Sequence, residues 1–214
     1  MNEPILRLSE DGKTMAVRLV GTKAPGIIGR SGMRFKCVFD LVCWRWHGKD
    51  GKRFRNLKGQ FERRLIWQEH CSNIVTDEGL DHVLDVTYHG KAIINPWYCC
   101  MSESDTAAAA GMTYAVPVYT ETEAYDEATR PIYNEAASTG QSITNSANKA
   151  VFTMNDTKTL YGASLVGGSD VKSDVTNAAT HVLSCYAKFG ASRAVVDDDV
   201  VNLSYTVTAA DDGV

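Results

Sequence analysis

Between Val200 and Ala210 the chain reads VVNLSYTVTAA. Val201, Leu203, Tyr205 and Val207 fall on one side of a period-two repeat, and Asn202, Ser204, Thr206 and Thr208 on the other. Successive side chains of a strand point to opposite faces, so this pattern fits a strand with one buried and one wetter face, and it does not fit a helix. The same period runs through RFKCVFDLVCWRW at 34–46. Phe35, Cys37, Phe39, Leu41 and Cys43 share one face; Lys36, Val38, Asp40, Val42, Trp44 and Trp46 share the other. In KAVFTMNDTKTLYGASLVGGSD, Ala150, Phe152 and Met154 alternate, NDTK turns, and Tyr161, Ala163 and Leu165 alternate again, which predicts a β-hairpin. HVLSCYAKF supplies a further strand. AVVDDDV precedes the last one as a turn whose acids keep the strand end wet, with Asp198 and Asp199 solvated. Several short strands divided by turns over about 92–208 predict a mainly β protein built as an antiparallel β-sandwich.

One segment changes period. In NIVTDEGLDHVLDVTYHG, Leu80, Val83, Leu84 and Thr87 follow i, i+3, i+4, i+7. Thr76 is placed to cap a helix N-terminus, Asp77 and Glu78 stand where the helix dipole favours acids, and Gly90 is a natural stop. These signals predict one short α-helix at about 76–88. Upstream, ILRLSEDGKTMAVRLVG reads as a hairpin turning at EDGK, and TKAPGIIGRSG as a loop. RFRNLKGQFERRLIWQEH alternates weakly, with a strand near 61–70. PWYCCM returns to strand character. The run from Tyr114 to Tyr133, with two prolines, runs extended along an edge or surface. AASTGQSITNSAN, 136–148, has no charge, no ring and one large aliphatic side chain, Ile143; it reads as sheet-edge and turn material.

The net charge of −4 conceals a division. Residues 1–70 hold 15 Lys or Arg against 7 acids, and 71–214 hold 7 against 19. This divides the chain into a basic, β-rich docking segment at 1–72 and a helix-plus-sandwich domain at 73–214. The basic part fits an acidic protein surface, its own or a neighbour's; nucleic acid is the lesser alternative, in which Arg63, Arg64 and Trp67 would stack on bases. No apolar run approaches the ~20 residues of a membrane span. The acidic start MNEPILRLSEDGK has no apolar stretch of the signal-peptide kind, so synthesis in a cytoplasm is expected.

Chemistry is sparse in the sequence. The six cysteines, Cys37, Cys43, Cys71, Cys99, Cys100 and Cys185, form no C-x-x-C pair. They read as buried free thiols, or as disulfide candidates if the protein later meets an oxidising exterior. The histidines lack metal-ligand spacing, and there is no nucleophile elbow and no phosphate-binding or dinucleotide-binding glycine motif. No enzyme activity, metal or cofactor is expected.

Five segments in order, NIVTDEGLDHVLDVTYHG, PWYCCM, YDEATRPIYNEAA, QSITNSANKAVFTM and TLYGASLV, together resemble a family of virion structural proteins of tailed bacteriophages. The likeness spans about 73–208. It departs at WYCCM, where the family more often has glycine and aliphatic residues. The resemblance implies a non-enzymatic, homo-oligomeric particle component at the neck or tail or decorating the capsid, with capsid, neck or tail proteins as partners. Trp44, Trp46 and Trp67 are then candidate aromatic anchors, with core packing explaining these rings equally well; Arg63 and Arg64 join them as interface candidates, and Ile143 and Asn145 lie on a low-charge β edge that a neighbour would cover. The alternative is a host-surface receptor or glycan-binding module presenting an aromatic platform of Tyr114, Tyr119 and Tyr125.

Overall fold

The computed structural model describes residues 5–8, 15–18, 33–48 and 50–211. They belong to two units, Met1–Arg34 with Ala210–Val214, and Phe35–Ala209. In the first, β1 (Ile5–Leu8) pairs antiparallel with β2 (Met15–Arg18), Ile5 opposite Arg18. This is the expected hairpin; its EDGK turn, and the loop expected at 22–32, lie outside the described residues.

The second unit is an antiparallel β-sandwich. One sheet runs β4 (Arg64–Ser72), β3 (Met33–Arg45), β11 (Val200–Asp211), β7 (Ser142–Thr144), and β8 (Ala150–Thr153) also pairs with β11. The other runs β5 (Ile74–Val75), β10 (Val182–Val195), β9 (Lys158–Gly167), β6 (Trp97–Ser102). The apolar faces read from the sequence meet between them. Phe39, Leu41, Leu203 and Tyr205 of the first sheet pack with Met101, Ala163, Leu165 and Ala187 of the second. The sheets thus cross the boundary expected at 72/73: β3 and β4 are built from residues assigned to the docking segment, yet they supply a large share of the core.

The hairpin expected at 150–167 does not form. β8 pairs with β11 in one sheet, while β9 pairs with β10 and β6 in the other, so the chain changes sheets at NDTK. The reason lies in β9, which is buried on both faces. Leu165 enters the core between the sheets, and Val166 enters a second cluster with Cys100, Met112, Tyr114, Tyr119, Leu183 and Tyr186. Residues 108–119 cover the outer face of this sheet, with Tyr119 stacked on Tyr186 at 4.6 Å between centroids. The run that follows extends along the edge of β6, as expected, through Cys99 N–H to Pro131 O and Tyr133 N–H to Trp97 O at 2.8 Å each, and it turns Tyr125 and Tyr133 into the core.

The helix α1 (Asp77–Leu84) continues as a π-helical turn over Asp85–His89. Thr76 caps it, its Oγ1 accepting from Gly79 N–H at 2.9 Å, and Gly90 ends it in the left-handed conformation at φ 76°. The face it buries is not the apolar stripe. Gly79 and His82 turn inward, Gly79 so close to the Ser184 carbonyl that no β-carbon fits. Leu80, Val83, Leu84, Thr87 and Tyr88 are exposed.

All six cysteines are free and buried, the first of the two readings the sequence offers. Burial pushes the thiols of Cys43, Cys71 and Cys185 up to about 12 and raises those of Cys37, Cys99 and Cys100 as well. Only a thiolate attacks disulfide reagents. The native protein is therefore expected to leave all six thiols unreacted with an aromatic disulfide at pH 8 and to titrate all six after denaturation; a fast-reacting native thiol would contradict this burial.

Candidate functional site

Between β3 and β4 the chain leaves the sheet and makes two tight turns before returning. His47 bridges to Arg53 and Arg55 to Phe61, so residues 46–64 form a narrow ribbon. The first turn is closed by Gly48 N–H to Lys52 O at 2.8 Å and Gly51 N–H to Gly48 O at 2.9 Å. The second is closed by Asn56 N–H to Gln60 O at 2.8 Å, while Asn56 Oδ1 accepts from the N–H groups of Lys58 at 2.9 Å and Gln60 at 3.0 Å. Arg55 Nη1 also donates to Gly59 O at 2.6 Å. Gly51 and Gly59 take φ 71° and 76°, where other residues are strained. This is the sequence logic of the excursion: HGKDGK and NLKGQ each hold a side chain that closes the turn and a glycine that permits it.

The rings and guanidinium groups of the ribbon stack on one another. Arg55 lies 4.0 Å from the Phe61 centroid, Arg64 4.5 Å from Phe54, and Arg63 4.7 Å from Trp46. Each exposed pair of this kind contributes about 0.5–1 kcal/mol. Arg63 and Arg64, which only the lesser, nucleic-acid alternative would stack on bases, thus stack on the chain's own rings. What the ribbon offers to solvent is cationic and apolar. Residues 46–64 hold seven Lys or Arg against Asp50 and Glu62. Leu57, at the tip of the second turn, is fully exposed, and Phe61, Leu65 and Ile66 further along the chain are exposed too. Ile66 falls at a register break, where Cys43 faces Trp67 and Trp44 faces Leu65.

The other sequence candidates scatter. Trp44 and Trp46 are half-buried at the base of the ribbon. Trp67 is no surface anchor; it is buried, with Nε1 donating to Ala194 O at 3.0 Å. Ile143 is half-buried opposite Val207. Asn145 is 1% exposed and acts as a piece of strand: its Oδ1 accepts from Tyr205 N–H at 2.7 Å and its Nδ2 donates to Leu203 O at 3.3 Å. It fills the gap in the β11 ladder between β8 and β7. The edge of β7 is itself taken up by residues 136–139, through Thr139 N–H to Ser142 O at 2.9 Å and Ala136 N–H to Thr144 O at 3.1 Å. The uncharged stretch therefore pairs with its own chain. Asn145→Ala is expected to cost roughly 2 kcal/mol in denaturant unfolding, because two buried backbone groups lose their partner.

Two sites that look chemical are structural. Asp199 is not solvated; it is fully buried and accepts from Arg45 Nε and Nη2 at 2.6 Å each. Arg130, 2% exposed, borders a cavity of about 240 Å³ with Tyr114, Tyr119, Glu121 and Asp174. Its Nε and Nη2 bond Glu121 at 2.9 and 2.6 Å, Nη1 bonds Tyr114 OH and Ser169 O at 3.1 Å, and Nη2 bonds Asp174 O at 3.1 Å. All five donors of the guanidinium are used, so none is left for a ligand. Burial works most strongly against its charge, but its neighbours Cys100, Glu121 and the Tyr114 hydroxyl together outweigh burial and raise its pKa. Tyr114, Tyr119 and Tyr125 are buried, so the expected aromatic platform is not at the surface. Among the described residues no group of three or more His, Cys, Asp or Glu is arranged to hold a metal ion.

Sequence reasoning missed Leu57, Phe61, Leu65 and Ile66. Their signal was the weak alternation of 53–66 itself: apolar residues spaced among cations with no consistent face to bury. Comparison with known proteins returns no match, whether among family models, curated proteins or solved structures.

Proposed function

We propose that this chain is a structural component of a tailed-phage particle, at the neck or tail or decorating the capsid, and that it works through protein–protein contacts. The observation that carries this reading is the 46–64 excursion together with the first residues of β4. A fully exposed leucine sits on turns fixed by hydrogen bonds and cation–ring stacking, and Phe61, Leu65 and Ile66 on the same short segment are exposed as well. Exposed apolar side chains on an ordered scaffold mark an interaction site, and fixing them in advance lowers the entropy lost on docking. The ordered series of segments resembling phage virion proteins supplies the setting, and a β-sandwich with no free edge at β7 suits a subunit that must stay soluble before assembly. Peptide mass spectrometry of purified particles tests this. The expected result is the chain present in a fixed ratio to the other virion proteins; its absence from infectious particles contradicts the reading.

A further inference from the structure

The geometry points to a head-to-tail contact between copies of this chain, in which the basic excursion of one copy seats on the acidic, apolar-ridged outer face of α1 in the next. This inference rests on reading the excursion as a protein-contact surface, and it names the partner.

Among the described residues both surfaces are unpartnered, and they match. The outer face of α1 and its π-helical continuation exposes Leu80, Val83, Leu84 and Tyr88 as one ridge. Residues 77–89 carry four acids, Asp77, Glu78, Asp81 and Asp85, and no Lys or Arg. Asp77 and Asp81, both exposed, enter no ion pair among the described residues, and neither do Lys52, Arg53, Arg55, Lys58 or Arg63 on the excursion. An apolar knob among cations that enter no described ion pair thus has, on the same molecule, an apolar ridge bordered by carboxylates that enter none either. Complementary charge of this kind steers association and fixes orientation, while the apolar centre holds the contact.

The fold decides that the contact lies between copies. The excursion ends at Arg64, where β4 begins; β4 ends at Ser72, and α1 follows after the short β5. Nine extended residues span about 30 Å, so knob and ridge stand at opposite ends of one strand. A copy therefore does not fill its own ridge. A contact that leaves one knob and one ridge of each pair open is heterologous, and it closes into a ring or continues as a filament according to the rotation between neighbours; a twofold pair in which each copy fills the other's ridge would stop at the dimer.

Two full-length variants test this. Leu57→Asp spoils the knob and leaves the ridge; Leu84→Lys spoils the ridge and leaves the knob. Both residues are exposed, so the unfolding midpoint of each variant should match the wild type. In sedimentation at low ionic strength the wild-type chain is expected to associate beyond the dimer, and each variant alone to associate at least about 10-fold more weakly. An equimolar mixture of the two should form dimers and nothing larger, since each mixed pair retains one intact knob and one intact ridge. A mixture that stays monomeric while the wild type associates overturns the inference. So does a monomeric wild type that binds a single-stranded oligonucleotide through Lys52 and Lys58, which would make nucleic acid the partner. A monomeric wild type held in particles by links to a different protein also overturns it, while leaving the particle reading standing.

Discussion

Replacing Arg130 with methionine is expected to lower folding stability by about 3–5 kcal/mol, the usual cost of removing one partner of a buried ion pair. The size follows from what the guanidinium holds. Glu121 is 9% exposed and would keep a carboxylate in the protein with no cation beside it. The Tyr114 hydroxyl and the carbonyls of Ser169 and Asp174 would lose their donors at the same time. Replacing both partners, Arg130→Met with Glu121→Leu, should recover much of the loss, because no charge is then stranded. Denaturant unfolding of the single and double variants separates the two effects; a loss below about 1 kcal/mol for the single variant would contradict the assigned network. The same cluster gives an acid dependence. Hydrogen bonds, first from the Thr176 side chain, hold the Asp174 carboxyl well below the usual carboxylate range. Its folded pKa lies below the unfolded value, so its contribution is present above about pH 4 and is lost as pH falls further, the unfolded chain taking the proton first. Asp174→Asn should flatten stability against pH in that window.

Phe39→Ala is expected to cost about 3–5 kcal/mol, the range for emptying a buried aromatic site. Phe39 is fully buried, and its ring centroid lies 4.4 Å from that of Tyr205 on the neighbouring strand. The result matters beyond its size because Phe39 belongs to the segment that charge alone marks as a separate docking arm. A chain beginning at residue 73 would lack β3 and β4 and leave the long β11 with one side unpaired. It should fail to fold cooperatively, as judged by thermal unfolding. A folded, cooperative 73–214 fragment would contradict the placement of β3 in the core.

The parts of this structure that sequence made legible are those where local chemistry and burial agree. Val201, Leu203 and Tyr205 alternate because β11 has the core on one side, and Thr76 and Gly90 mark the helix because capping is local. Where burial comes from two directions, periodicity gives no partner, and so β9 was assigned to a hairpin with β8 that the two-sided burial of Leu165 and Val166 rules out. Asp199 misled for a different reason: its cation, Arg45, lies 154 residues away in sequence. Asn145 completes a ladder, which no spacing rule announces. The apolar stripe of α1 identified the element but not its orientation, since a glycine's closeness to Ser184 sets the buried face. The proposed contact surface was legible only as charge. Its apolar centre emerges once the two turns carry Leu57 and Phe61 away from any core.

Zero-length cross-linking of carboxylates to amines in intact particles, followed by peptide mass spectrometry, probes that surface where it is proposed to act. The expected result is that Lys52 or Lys58 links to a carboxylate of a neighbouring chain, with Asp77 or Asp81 of a second copy as the foremost partner. Particles that contain the chain but leave both lysines unlinked, while lysines elsewhere on it react with neighbours, would show that the excursion is not the contact and would contradict the function proposed for it.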